Sequence, residues 1–243
     1  MPTLILTPRH TPDAQALWRA ATRLGWGVFR LPSWRVPEEA RAIADPVPYV
    51  EALFAPMIAG FFGLRAVEPP DDWLCQIPEE YRRRAVHLTT LGAARAAAEA
   101  QFIKPPNDKS FRAGIYRGDE LPAEFDSAMP VLVSEIVEWE AEFRFFVLDR
   151  EILTFSLYAR DGVPQRDNDF ALSDAEGRSA AEFANRVIAD RRVELRRAAV
   201  LDIGTIKGRG WAVVEQNAVW GAGIYGCDPA RVLEALRYSY GEQ

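Results

Sequence analysis

The sequence predicts an α+β protein, on three observations. Residues 3–31 alternate strand, helix and strand; residues 129–160 hold three strand-like runs, the last two joined by a tight turn; residues 198–217 hold another strand pair. Helical stretches separate these blocks, and antiparallel pairs interleaved with helices are the pattern of an α+β fold.

TLILT, residues 3–7, is a short apolar run. Thr11 or Asp13 can cap a helix over DAQALWRAATRLG, because their side-chain oxygens accept from otherwise unpaired N–H groups, and Gly25 ends it. WGVFRL is a second strand, so the chain opens on a Rossmann-like β-α-β unit. PSWRVPEEARAIADPVPYV carries four prolines and no sustained period, and reads as a long connection into a helix around 48–63. EPPDD breaks the pattern and marks a boundary near 68–72. Glu79 to Ala100, rich in alanine and arginine, reads as one or two helices ending at QFIKPP. MPVLVSEIV, EFRFFVL and EILTFSLYAR are strands, the last two joined at Asp149-Arg150. Asp174 to Asp190 reads as a helix, AAVLDIGTI and WAVVEQN as a strand pair, and Asp228 to Tyr238 as a closing helix; no internal repeat is present.

Of 243 residues, 49% are hydrophobic and 26% charged, which excludes disordered, collagen-like and coiled-coil classes. The 29 Lys and Arg against 35 Asp and Glu leave a net charge of −6, the wrong sign for a general nucleic-acid binder. Cys75, Cys227, His10 and His87 show no metal-ligand or disulfide-framework spacing. The longest uncharged apolar stretch, Ala52 to Leu64, falls short of the roughly 20 residues of a membrane span. MPTLILTPRH lacks signal-peptide character, so the expectation is a cytoplasmic protein with reduced thiols.

The chemistry concentrates in VLDIGTIKGRGWAVVEQN, residues 200–217. If Gly208 and Arg209 form a two-residue turn, Lys207 faces Gly210 and Asp202 lies directly across from Glu215, with Asn217 on the same face. Opposed like charges destabilise a sheet, and a divalent cation reverses that penalty. Two carboxylates and an amide oxygen are hard ligands of the kind Mg²⁺ takes, with phosphates and water completing its shell. A solvated acidic pair on an exposed sheet face is the competing reading, set against the apolar company of both acids. A three-residue turn would shift the register by one and spoil the pairing. No GxxxxGK[ST] or GxGxxG is present.

These residues resemble the ATP-grasp superfamily, in particular its small amidoligase branches. The resemblance rests on Glu-x-Asn ending a strand, an Asp on the strand before it and an upstream Lys in FIKP, and it extends over nearly the whole chain. It implies an ATP-grasp fold of two α+β lobes over 71–243, hinged near 133–138, preceded by a short Rossmann-like β-α-β pre-grasp domain over 1–70. By the family's pattern, Asp202, Glu215 and Asn217 hold two Mg²⁺ ions. Lys104 contacts the ATP phosphates, Glu135, Ile136 and Val137 form the adenine hinge, Glu142 meets the ribose, and Arg144 faces phosphate or substrate.

The phosphate-covering loop matches 105–114, which offers only Gly114, with Lys109 as its cation. An earlier family lysine has no clear match; Arg82, Arg83 or Arg84 could stand in, a solvated helix face being the plainer account of them. Val200 replaces an arginine usual two residues before the metal aspartate, and Lys207 could supply a cation from the turn. Arg160 faces away from Arg144 in the simplest hairpin register, and WGAGIYG, 220–226, could shape an acceptor pocket.

The implied function is an ATP- and Mg²⁺-dependent carboxylate–amine ligase acting through an acylphosphate on small-molecule or peptide substrates. An ATP-dependent phosphotransferase on the same fold and a non-catalytic nucleotide-binding module are the alternatives.

Overall fold

The computed structural model describes residues 1–107 and 109–242. It opens with β1 (Thr3–Leu6), α1 (Pro12–Arg23), β2 (Gly27–Arg30) and β3 (Pro46–Tyr49), the strands forming a parallel sheet ordered β2-β1-β3. Thr11 caps α1, its Oγ1 accepting from Ala14 N–H at 3.0 Å. The helix expected around 48–63 is only partly present: β3 occupies its start, a 3₁₀ turn spans 52–54, and α2 (Ala55–Phe61) follows. Pro46 and Pro48 lie two apart on an edge strand, where both missing donors fall on one side, so they tolerate a strand better than a helix.

After β4 (Leu64–Ala66), α3 (Trp73–Gln76) and α4 (Glu79–Arg82) come β5 (Val86–Thr90) and α5 (Leu91–Arg95). The helices expected over 79–100 are thus two short ones, α4 and α5, with a strand between them. Arg83 adopts φ 51° and ends α4, VHLTT then runs extended, and Thr90 caps a helix of only five residues. With β6 (Gln101–Lys104), β7 (Gly114–Tyr116) and β8 (Pro130–Ser134), β5 builds an antiparallel sheet ordered β5-β8-β6-β7 over a small core that includes Leu91, Ile103, Phe111 and Val131.

The larger sheet follows: β9 (Trp139–Leu148), β10 (Glu151–Arg160), β11 (Val163–Pro164), then, after α6 (Asp174–Ala189), β12 (Ala198–Ile206) and β13 (Gly210–Asn217), ordered β11-β10-β9-β12-β13. Asp149 and Arg150, both at positive φ, turn β9 into β10. One sheet face, through Phe143, Phe145, Leu201 and Ile203, packs on α6. The other, through Phe146, Leu148 and Val200, shares a core with β1, α1 and α7 (Pro229–Leu236). β14 (Tyr240–Glu242) pairs with β4, which the sequence reading did not foresee.

The β12-β13 turn has three residues rather than two: Ile206 pairs with Gly210, and Gly208 and Gly210 take positive φ. This is the register shift that would have separated Asp202 from Glu215. A β-bulge at Val214 cancels it, since Ile203 pairs with Val213 while Asp202 pairs with Glu215.

Strands β9 and β12 approach closely at Gly204, where a Cβ would lie 2.5 Å from the Ala141 carbonyl oxygen and 2.8 Å from the Trp139 ring. Gly204→Ala should therefore lower stability by about 1–3 kcal/mol, read by urea unfolding. Wild-type stability would mean that the two strands separate without cost.

Candidate functional site

Register places four polar residues in one row across the larger sheet: Ser156, Arg144, Asp202 and Glu215, each the cross-strand partner of the next. Arg144 and Asp202 lie on β9 and β12, whose other side chains are mostly buried and apolar, so the row is held rigidly at the open end of the face that α7 covers elsewhere. Asp202 is fully buried. Its Oδ1 accepts from Arg144 Nε at 2.9 Å and its Oδ2 from Arg144 Nη2 at 2.6 Å, a bidentate pair. Arg144 Nη1 also donates to the Gly223 carbonyl at 3.0 Å. Burial opposes the Arg144 charge, but the Asp202 carboxylate outweighs it and keeps the guanidinium firmly protonated.

Glu215 is ion-paired with Lys104 Nζ, which arrives from β6 of the smaller sheet. Burial pushes the Glu215 carboxyl up, yet Lys104 and the Asn217 amide overcome it and hold it at about 2. Asn217 Nδ2 donates to Glu215 Oε1 at 2.7 Å and to Asp202 Oδ2 at 3.1 Å. Two carboxylate oxygens therefore converge on one small volume that an amide N–H now fills with positive charge. Turning that amide over would offer its oxygen to the same point. The donors are hard and few, which fits a Mg²⁺ ion completing its shell from phosphate and water.

The bulge that aligns this row has its own support. Arg84, starting from β5's N-terminal side, donates to the Val213 and Val214 carbonyls at 2.6 and 2.9 Å and lies over the Trp139 ring at 5.0 Å. Burial lowers its pKa to about 10. The helix-face reading of Arg82–Arg84 is thus corrected at Arg84, a buried residue beyond α4. Arg82 turns to the Cys75 and Arg84 carbonyls, and Arg83 to the Arg209 carbonyl.

Two cavities meet at this row. One, of about 360 Å³, lies between the sheets and is lined by Lys104, Glu135, Ile136, Val137, Glu142 and Arg84. The other, of about 630 Å³, lies against the carboxyl ends of β1 and β3 and is lined by Asp13, Tyr49, Lys109, Arg144, Asn217 and Tyr225. Ligand crevices of parallel α/β sheets form at that end. Glu215 and Tyr158 line both cavities. Glu142 is partly buried, and the loss of water raises its carboxyl above the ordinary range; it accepts from the Tyr158 hydroxyl at 2.7 Å.

The remaining expectations separate. The Glu135 side chain points outward and pairs with Arg209, while its N–H donates to the Ala85 carbonyl at 2.9 Å. Lys207 pairs with Glu138 at 2.6 Å at the exposed turn and supplies no charge to the row, because the three-residue turn stands at the far end of β12 and β13. Arg160 binds Glu176 of α6 on the opposite sheet face. Gly221, Gly223 and Tyr225 of the 220–226 segment border the larger cavity.

Sequence reasoning missed Tyr158, Tyr225 and Asp13, whose importance comes from packing between distant segments. Asp13 Oδ2 accepts from Ile224 N–H at 3.0 Å, tying α1 to the 220–226 loop.

A family described as an ATP-grasp domain, the second family of its clade, matches residues 81–235. No curated protein matches the sequence. Among solved structures, the D-cycloserine synthetase DcsG is similar at 14% identity and TM-score 0.61, over 97% of this chain and 98% of that one. The ATP-grasp ligase PsnB, complexed with minimal precursor, gives 16% identity and TM-score 0.51 over 98% and 99% of the two chains. The D-alanine–D-alanine ligase of Bacillus anthracis gives 10% and 0.53 over 98% and 96%. At these identities the likeness is one of fold.

The Lys104–Glu215 pair predicts an acid-dependent contribution to stability. The Glu215 carboxyl is lowered from 4.5 to about 2, so its contribution is complete above about 4.5 and is lost as pH falls to about 2. Lys104→Met should unfold at lower urea than wild type at pH 7, with the gap closing towards pH 2. A pH-independent gap would contradict the pairing.

Proposed function

The chain belongs to the ATP-grasp superfamily, and on that premise we propose that it is an ATP- and Mg²⁺-dependent ligase joining a carboxylate to an amine. The supporting observation is the acid row standing between two cavities, with Glu215 bordering both. On this reading residues 1–70 are a pre-grasp layer, residues 71–243 the ATP-grasp body, and 133–138 the hinge between its lobes.

ATP occupies the smaller cavity, with adenine against the backbone of Glu135, Ile136 and Val137 and the ribose beside Glu142. Lys104, Lys109 and Arg144 face the phosphates. Asp202, Glu215 and Asn217 are the residues that hold Mg²⁺, which when bound neutralises charge on the phosphates. The carboxylate substrate enters the larger cavity, and one of its oxygens attacks the terminal phosphorus as the bond to ADP breaks. An amine nitrogen then attacks the acyl carbon of the acylphosphate, inorganic phosphate leaves, and the nitrogen loses a proton. The protein contributes position and fixed charge rather than a nucleophile. Cys227, a buried thiol that lines neither cavity, is held in its neutral form because burial raises it to about 11. The substrate of the 630 Å³ cavity is a small molecule or a peptide; PsnB, similar in fold, is described as complexed with a minimal precursor.

Glu215→Gln keeps side-chain volume and should abolish Mg²⁺-dependent ADP release from ATP, by at least about 100-fold, while leaving a folded protein by circular dichroism. Wild-type turnover in this variant would overturn the metal assignment. An amide product by mass spectrometry distinguishes ligation from simple phosphotransfer, which would leave a phosphorylated product.

A further inference from the structure

Tyr158 belongs to no recognised motif, yet it stands where both cavities and both charged rungs of the sheet meet. It falls at a β-bulge, between Leu157, which pairs with Phe143, and Ala159, which pairs with Glu142. The bulge frees Tyr158 from direct ladder pairing and re-aims its side chain. Its hydroxyl donates to Glu142 Oε2 at 2.7 Å, on the wall of the smaller cavity. Its ring stacks on Tyr225, with centroids 5.1 Å apart and planes at 16°. The Arg144 guanidinium carbon lies 5.5 Å from the Tyr158 ring centre and 4.9 Å from that of Tyr225. Tyr225 reaches this position at φ 47°, a left-handed conformation uncommon for a side chain of its size, so the loop holds the ring there against local preference.

We propose that Tyr158 is a positioning residue with two separable actions: its hydroxyl fixes the Glu142 carboxylate for the nucleotide, and its ring, with Tyr225, fixes Arg144 at the edge of the second cavity. The inference rests on the ATP reading of the smaller cavity. The hydroxyl occupies one carboxylate oxygen and leaves the other to accept from a ribose. Without it, a carboxylate near Asp202 and Glu215 is free to rotate away, and its acceptor oxygen leaves the cavity wall. The ring action is different in kind: an aromatic face attracts a guanidinium and restricts its plane, so it adds to the orientation that Asp202 sets.

The test uses a non-hydrolysable ATP analogue with Mg²⁺, measured by calorimetry, with circular dichroism as the fold control. Tyr158→Phe keeps the ring and should weaken the analogue about tenfold. In a Glu142→Gln background the same change should cost nothing further, because the hydroxyl acts through the carboxylate; equal losses in both backgrounds would overturn that action. Tyr158→Leu, which also removes the ring, should speed hydrogen exchange at Arg144 Nε at least about tenfold, an effect absent from the Phe variant. Unchanged exchange in Tyr158→Leu would overturn the second action. If wild type binds no analogue, the ATP reading itself fails; if wild type and Tyr158→Phe bind equally, the ATP reading stands and the role of the hydroxyl falls.

Discussion

The buried Arg144–Asp202 pair is the interaction on which the rest of the site depends. Removing two charges from water costs several kcal/mol per ion, and only good geometry and further hydrogen bonds repay it. Here the geometry is bidentate, Asn217 adds a bond to Asp202, the Gly223 carbonyl accepts from Arg144, and two tyrosine rings face the guanidinium. Each partner recruits a different segment of the chain. The pair therefore locks β9 to β12, brings the 220–226 loop over the row, and through the bond from Ile224 to Asp13 fixes α1 at the mouth of the larger cavity.

The row works because the sheet has two faces with different tasks. On one face Phe143, Phe145, Leu201 and Ile203 bury against α6 and supply hydrophobic stabilisation. Their neighbours at alternate positions, Glu142, Arg144, Asp202 and Gly204, turn to the other face. A strand cannot give up its buried residues without moving its polar ones, so the positions of the charges are set by apolar packing behind them. Gly204 completes the arrangement by letting the Trp139 ring lie close to β12, where the same ring also carries Arg84.

Much of this was legible in the sequence because it is local. Alternation and turn chemistry identify β9, β10, β12 and β13, and the acids on neighbouring strands identify the row. The detail that joins Asp202 to Glu215 was legible only by two departures that cancel. A three-residue turn shifted the register, and the bulge at Val214 restored it. A bulge frees backbone carbonyls rather than following a side-chain code, and the partner that satisfies them, Arg84, lies about 130 residues earlier in the chain. The 79–100 stretch does hold two short helices, but the strand between them was not legible, because helix propensity is weak against the gain from pairing VHLTT with β8. Tyr158 and Tyr225 were invisible because aromatic residues carry no signature until tertiary contacts bring them to a charge.

The Lys104–Glu215 pair has a different character from Arg144–Asp202, and the difference bears on how the site would respond to ligand. Arg144 and Asp202 lie on adjacent strands of one sheet, so their separation is fixed by backbone hydrogen bonds. Lys104 lies on β6 of the smaller sheet and Glu215 on β13 of the larger, so their bond spans two sheets and no shared backbone ladder fixes its length. Lysine suits this place: its ammonium is a compact charge on a flexible stem, able to exchange one anion for another. On the proposed function, a phosphate entering between the sheets would compete with Glu215 for that ammonium, and a divalent cation arriving with it would compete with Lys104 for the carboxylate. Each exchange makes the other less costly, since neither leaves a buried charge alone. Lys104 and the Asn217 amide offset the charge of the two carboxylates and hold both in place.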